Sequence, residues 1–347
     1  MTEPDRSATA LGHPADGGPG CLDAFVAGDA SIDTSWQVSS VPTPGRTSTL
    51  RGSVVPELTF GGCGPQVALA LARLRLRVAL STWLGDDAPG RRYLAELEAA
   101  GVDVGPVVIA PGQDSPRSVL LYDPSGAATC LHHPSGSLEL RLTDAGRAAL
   151  ERSGWVVLTA GPRELTESVL DTRPSGSHLA WDVKADPKHY PIELRRRIIT
   201  EADVVIFNSD EAAFIGEAYS LQAASATGLR TVTRAILVET SGDEGSLVTW
   251  PGGMERVPAE AVEAENPTGV GDAFFAAFVA STIRGAAPGG AAQAATRHAA
   301  TFLRRRAGIH RTDESDEDGE IDAPSAASGA APTAWPSRDP TRPGGVA

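Results

Sequence analysis

Short apolar runs punctuate the chain, and between them apolar residues recur at the spacing of a helix face. Leu22 to Ala27, Val78 to Leu84, Trp155 to Thr159, Leu179 to Val183, Val204 to Asn208, Ala235 to Glu239 and Ser246 to Trp250 are predicted strands. Most lack the strict alternation of a half-solvated sheet, which predicts burial on both faces. Pro65 to Leu74, Arg91 to Ala100, the stretch from Ser209, the apolar run after Asp272, and Ala291 to Arg306 are predicted helices. Strands alternating with helices predict a mostly parallel α/β sheet covered on both faces. Ligands of such sheets gather at the carboxyl ends of the strands. Two regions depart from this rhythm. Trp36 to Leu58, rich in Ser, Thr, Val, Pro and Gly, predicts short extended segments. Ser118 to Tyr122 and Ala127 to His132 predict a hairpin closed by Asp123-Pro124-Ser125-Gly126.

The two ends have little to bury. Residues 1–20 are rich in Gly, Pro and Asp, and residues 313–347 are acidic and then Pro-, Ala- and Ser-rich. Both are expected to be disordered, which leaves 21–312 as the folded domain. The net charge of −14 argues against nucleic acid or an anionic membrane as partner, although the run from Asp313 to Asp322 supplies part of it. No apolar run is long enough to span a membrane, and the N-terminus carries no signal pattern. Cys21, Cys63 and Cys130 are widely spaced with no C-x-x-C, as expected of reduced thiols in a cytoplasmic protein.

The stretch that organises the chemistry is Glu265-Asn266-Pro267-Thr268-Gly269-Val270-Gly271-Asp272-Ala273-Phe274. Gly269 and Gly271 leave the backbone free to curl with its N–H groups pointing one way, and the helix that follows adds the positive end of its dipole. That is an anion site, most simply for a phosphate. Asp272 stands where the loop becomes helix. A carboxylate beside an anion hole makes sense if it removes a proton from a hydroxyl that attacks the bound phosphoryl group.

This stretch resembles the second signature of the PfkB carbohydrate kinases, the ribokinase-like family, which usually reads Asp-Thr-x-Gly-Ala-Gly-Asp. A second stretch, Gly61-Gly62-Cys63-Gly64-Pro65-Gln66, is similar to the family's first signature, with Gln66 where Asn is usual. The resemblance implies a three-layer α/β/α sandwich with a mostly parallel central sheet and a small β lid, from about 34–60 and 115–135. It implies transfer of the γ-phosphate of ATP to a sugar or sugar-like alcohol. Asp272 would be the base, with the backbone of Gly269, Val270, Gly271 and Asp272 as anion hole. Asp33 would bind sugar hydroxyls, since a carboxylate accepts two hydroxyl hydrogen bonds, together with the Gly61-Gly62 turn and Gln66.

Asn208-Ser209-Asp210-Glu211 is similar to the family's Asn-x-x-Glu, whose acid acts through water on the magnesium of the nucleotide. It also reads as an ordinary helix start, capped by Ser209 or Asp210. Thr240, Gly242 and Gly245 resemble the nucleotide-binding turn. The implied cofactors are ATP and Mg2+. Asn266 stands where most members carry Asp, and its missing charge counts against a monovalent-cation site. His132 and His133 would lie on the lid, where surface histidines are the commoner case. Members with such a lid often dimerise through it, so a lid-mediated homodimer is among the expected states. Two other readings stay open: a nucleoside kinase on the same fold, and a non-catalytic sugar- or nucleotide-sensing protein, which Gln66 and Asn266 would favour.

Overall fold

A computed structural model of the chain describes residues 20–52, 57–124, 128–135, 140–221, 224–262 and 268–306. All belong to one unit, residues 1–309. The expectations for residues 1–19 and 313–347, for Asn266 and Pro267, and for Ser125 and Gly126 lie outside the described residues.

The first half of the chain forms β1 (Leu22–Ala27), β2 (Ser31–Val38), β3 (Leu50–Arg51), β4 (Glu57–Gly61), α1 (Cys63–Arg73), β5 (Val78–Ser81), β6 (Trp83–Gly85), α2 (Ala88–Ala99), β7 (Val108–Ala110), β8 (Arg117–Tyr122), β9 (Ala128–His133), α3 (Asp144–Glu151), β10 (Ser153–Leu158) and α4 (Arg163–Thr172). The second half forms β11 (His178–Asp182), α5 (Ile192–Glu201), β12 (Val204–Asn208), α6 (Ser209–Glu217), α7 (Ala226–Leu229), β13 (Ile236–Thr240), β14 (Ser246–Trp250), β15 (Gly253–Val257), α8 (Val270–Ile283) and α9 (Pro288–Arg306).

The central sheet has the order β15-β14-β13-β12-β11-β10-β1-β5. It is parallel from β5 through β13, while β14 and β15 join antiparallel at one edge. Its strands alternate between two cores. Ala24, Val26, Trp155, Val157, Val204 and Ile206 face the side packed by α1, α2, α8 and α9. Phe25, Ala27, Val156, Leu158, Val205 and Phe207 face the side packed by α3 to α7. This explains the unbroken apolar runs: a strand covered on both faces has no polar positions to spare. α8 is apolar nearly all round because it lies in the interior between sheet and α9. The three-layer sandwich is the architecture that the sequence implied.

A second sheet of five strands, β3-β2-β8-β9 with β4 also on β2, forms the lid. One difference from the sequence reading concerns Val78 to Leu84. It is two strands: β5 stays in the central sheet, and β6 leaves it to pair with β7. The apolar run hides the break because both pieces are buried. α2 begins earlier than Arg91, since Asp87 caps it by accepting from Gly90 N at 2.8 Å. No described helix is long and apolar enough to cross a membrane. The three cysteines form no disulfide.

Candidate active site

Parallel strands end together, so their carboxyl-end loops share one rim. β1 delivers Asp29, β11 delivers Asp182 and Lys184, β12 delivers Asn208 and Glu211, and β13 delivers Thr240. The N-terminal ends of α1 and α8 point residues 63 and 272 toward the same place. Ligand atoms of Cys63, Asp182 and Asp272 all lie within 4.8 Å of one another.

Gly269 caps α8 at φ 83°, in the left-handed region that suits glycine. It has no side chain to satisfy the helix's first N–H groups, and the first intrahelical bond there is Ala273 N to Gly269 O at 3.0 Å. Among the described residues no side chain caps those N–H groups, which leaves them for a ligand. Gly271 differs from the sequence expectation. Its φ is not positive, so it is not needed for the curl. Instead a Cβ placed there would meet nothing within 4 Å, and the residue is exposed. Its missing side chain leaves open room among the described residues at the first turn of α8, where a helix N-terminus can take a phosphate.

Asp272 is the third residue of α8. Burial, then the neighbouring Asp182 carboxyl, pushes its pKa up to about 7, against the pull of Lys184 and a hydrogen bond from the Cys63 thiol. Burial likewise raises Asp182, with Lys184 opposing. Lys184 Nζ stands 3.9 Å from Asp182 Oδ2 and 3.7 Å from Glu211 Oε1, and the surrounding acids, Asp182 first, hold its ammonium strongly charged.

Asp33 lies close enough to Asp272 to raise it further. Asp33 itself is 9% exposed, accepts from the hydroxyls of Ser31 and the lid residue Ser118, and is raised by burial despite them. Gly61 leaves room for the Asp33 carboxylate, which a Cβ there would meet at 1.9 Å and displace. Gly62, at φ 89°, presses against the backbone of Asp29 and Ala30. Gln66 Nε2 donates to Phe60 O at 2.6 Å and to Tyr93 Oη at 3.4 Å, while Tyr93 Oη donates to Gly61 O at 2.9 Å. Gln66 therefore braces the glycine turn through its amide nitrogen. His132 Nδ1 is 3.1 Å from Ser118 Oγ, the same hydroxyl that bonds to Asp33. His133 binds the local turn at Ser135 N, 3.0 Å away.

Asn208, rather than Ser209 or Asp210, caps α6. Its Oδ1 accepts from Glu211 N at 2.9 Å, and Glu211 Oε2 accepts from Asn208 N at 2.9 Å, a reciprocal capping box. One Glu211 oxygen is thus held by the backbone, while Oε1 faces Lys184. Thr240 is the direct cross-strand partner of Asn208. Beyond it Gly242 and Gly245 take φ 58° and 95°, and at Gly245 a Cβ would strike Val257 O at 2.1 Å.

The sequence reading gives Lys184 no role and takes Cys63 as an ordinary reduced thiol. A signal for the first was present: the chain has two lysines, Lys184 and Lys188, against 28 arginines, and both sit in the loop after β11.

The model of the pfkB family of carbohydrate kinases matches residues 25–314. The chain is 23% identical over 265 residues to a nucleoside kinase of Methanothermobacter thermautotrophicus, covering 76% of this chain and 84% of that one. It is 28% identical over 238 residues to fructokinase-1 of Oryza sativa, covering 65% and 74%. In fold it resembles the ribokinase of Cryptococcus neoformans solved in complex with ADP, with a TM-score of 0.70 at 19% identity over 81% of this chain and 94% of that one. The match spans the strands, the lid and both glycine turns described above, and the chain belongs to the pfkB family of carbohydrate kinases.

Proposed function

We propose that the chain transfers the γ-phosphoryl group of ATP to a hydroxyl of a sugar or sugar-like alcohol, with Asp272 as the general base. The observation that carries this reading is the position of one carboxyl. Asp272 stands in the first turn of α8, beside uncapped N–H groups and the open space at Gly271, and within electrostatic reach of Asp33.

The attacking hydroxyl gives its proton to Asp272 as its oxygen forms the bond to phosphorus, and the bridging oxygen leaves with the electron pair on ADP. The N–H groups of Gly269, Val270, Gly271 and Asp272 meet the charge on the transferring group. Asp33, Gly61, Gly62 and Gln66 hold the acceptor, Gln66 through the amide oxygen that its bracing bonds leave over. Asn208, Thr240, Gly242 and Gly245 line the nucleotide side.

Glu211 Oε1, the oxygen its helix cap leaves available, suits a water of Mg2+, a hard cation that retains its waters. Mg2+ there would supply charge neutralisation on the polyphosphate. Lys184, beside the same oxygen, supplies a positive charge between the metal side and the base.

A nucleoside as acceptor is the second reading, favoured by the nucleoside kinase that aligns with 76% of this chain. We also infer a homodimer through the lid. Leu58, Thr34, Val119 and Leu131 form one cross-strand row, on the face opposite to that of Asp33 and Ser118. Leu58 and Leu131 are 57% and 58% exposed. Sedimentation of the wild type and of a Leu58→Glu/Leu131→Glu variant tests this; a wild-type monomer would refute it.

The experiment for the activity is ATP consumption with a panel of pentoses, hexoses, hexose phosphates and nucleosides. Stimulation of ADP release by one class, lost in Asp272→Asn, is expected. ADP release that no acceptor stimulates would refute the reading.

A further inference from the structure

Cys63 lies against the base, yet phosphoryl transfer gives its thiol nothing to do. Its sulfur and the carboxylate oxygens of Asp182 and Asp272 come from three separate elements, the start of α1, the end of β11 and the first turn of α8. All three ligand atoms lie within 4.8 Å of one another. A tetrahedral zinc ion with one sulfur and two oxygen ligands needs separations of roughly 3.4–3.6 Å. Side-chain rotations closing about an ångström would therefore complete three corners and leave the fourth to water.

A second observation points to a cation independently of the cysteine. Asp182 Oδ2 is buried and has no hydrogen-bond partner. Its side chain is 8% exposed, and its nearest positive charge, Lys184 Nζ, is 3.9 Å away, beyond hydrogen-bonding reach. A buried carboxylate oxygen without a hydrogen bond is costly, and a directly coordinated ion would satisfy it.

We propose that Cys63, Asp182 and Asp272 form a binding site for a thiophilic divalent cation of the zinc class, and that an ion held there blocks turnover by taking the base. The binding half stands on geometry alone, and the inhibitory half rests on the function proposed above. The donor set selects the ion. A thiolate favours Zn2+ or Cd2+, whereas Mg2+ prefers all-oxygen shells and keeps its waters. The nucleotide's Mg2+ is thus no competitor here. On binding, the sulfur–hydrogen bond breaks, the sulfur–metal bond forms, and the proton leaves to solvent, with no change of oxidation state. Lys184 is the cation to be displaced, and its side chain, 40% exposed, has room to swing outward.

The test uses the full chain, purified metal-free and titrated with Cd2+, whose bond to a thiolate gives an ultraviolet charge-transfer band. Zn2+ affinity follows by competition with a chromophoric chelator. One band with a one-to-one endpoint is expected in the wild type and in Cys21→Ser/Cys130→Ser, and none in Cys63→Ser. Asp182→Asn, which keeps the thiol, is expected to weaken Zn2+ by about tenfold or more. Absence of the band in the wild type, its persistence in Cys63→Ser, or unchanged Zn2+ affinity in Asp182→Asn would each overturn the site. Zn2+ is expected to inhibit wild-type turnover in competition with the acceptor and not with ATP, reversibly on chelation. Binding without inhibition would overturn the second half. Failure of every acceptor to support turnover would count against the proposed function and leave the two binding measurements to decide the site.

Discussion

Lys184 Nζ stands 3.7 Å from Glu211 Oε1, a loose ion pair between a lysine with a 40% exposed side chain and an acid already bonded to its own helix cap. Neither group is locked to the other, so the ammonium is free to turn to an incoming phosphate. Three acids surround it and keep it charged, Asp182 most of all. Replacing it by Met keeps the length of the stem and removes the charge. Lys184→Met is therefore expected to lower kcat by about 10^2-fold or more, the scale of losing one charged group at a developing charge. Binding of the acceptor alcohol should be little changed. A kcat within a few fold of wild type would remove Lys184 from the reaction path.

Asp272, with its pKa pushed up to about 7 by burial and Asp182, must be ionised to accept a proton. Below that value the carboxyl is protonated and the base is lost. The expected profile of kcat/KM falls about tenfold per pH unit below about 7 and levels above it. Asp272→Asn should cost on the order of 10^2–10^4-fold in kcat and abolish this limb, while acceptor binding stays near normal. An acidic limb that persists unchanged in Asp272→Asn would assign it to another group. Asp29, also raised to about 7, is the first to test.

The glycines around residue 270 were legible as a motif, and the backbone separates their duties. Gly269, at φ 83°, sits where any side chain is strained, with Phe302 3.3 Å from an added Cβ. Gly269→Ala is expected to destabilise by roughly 1–2 kcal/mol, a Tm drop of a few degrees. Gly271 has ordinary helical backbone and empty space in front of it. Gly271→Ala should leave Tm unchanged or slightly raised and still depress kcat/KM, because its methyl enters the space proposed for the phosphate. Equal loss of stability in both variants would contradict this division of roles.

The fold was readable because its signals are local. A strand buried on both faces shows itself in its own residues, as Val204 to Phe207 do, and a glycine-opened helix does so at Gly61-Gly62 and at Gly269. What stayed hidden depends on neighbours far apart in the sequence. Nothing around Lys184 announces that β11 will lie beside β12 and bring Glu211 within reach. The glycine turn's resemblance puts Cys63 near the acceptor, but no local signal shows that its thiol will touch Asp272, a contact made through the packing of α1 against α8. The break at Thr82, between β5 and β6, was invisible for a related reason: both pieces are buried, against different partners.

A raised carboxyl pKa is also a statement about stability. Asp272 goes from an ordinary value of 3.8 in the unfolded chain to about 7 in the folded one, so the folded state binds its proton more tightly. The folded protein therefore bears no penalty from this residue below pH about 4. It acquires one as pH rises through 4–7, and bears it in full above 7. Asparagine never ionises. Asp272→Asn is expected to be more stable than wild type at pH 8, on the order of 1–3 kcal/mol after allowing for water at the cleft and for sharing of the proton with Asp182. The gain should fade toward zero at pH 4. The same sign holds for Asp29, raised to about 7 by burial and then by Asp186, so Asp29→Asn should show a gain with the same pH dependence. Urea denaturation of the three proteins at pH 4, 6 and 8 measures it. A destabilised Asp272→Asn at pH 8 would mean that the ionised carboxylate is held by favourable contacts, contrary to the burial that defines this site. A stabilised but inactive Asp272→Asn would be the outcome expected of a base kept in a desolvated position for its reactivity.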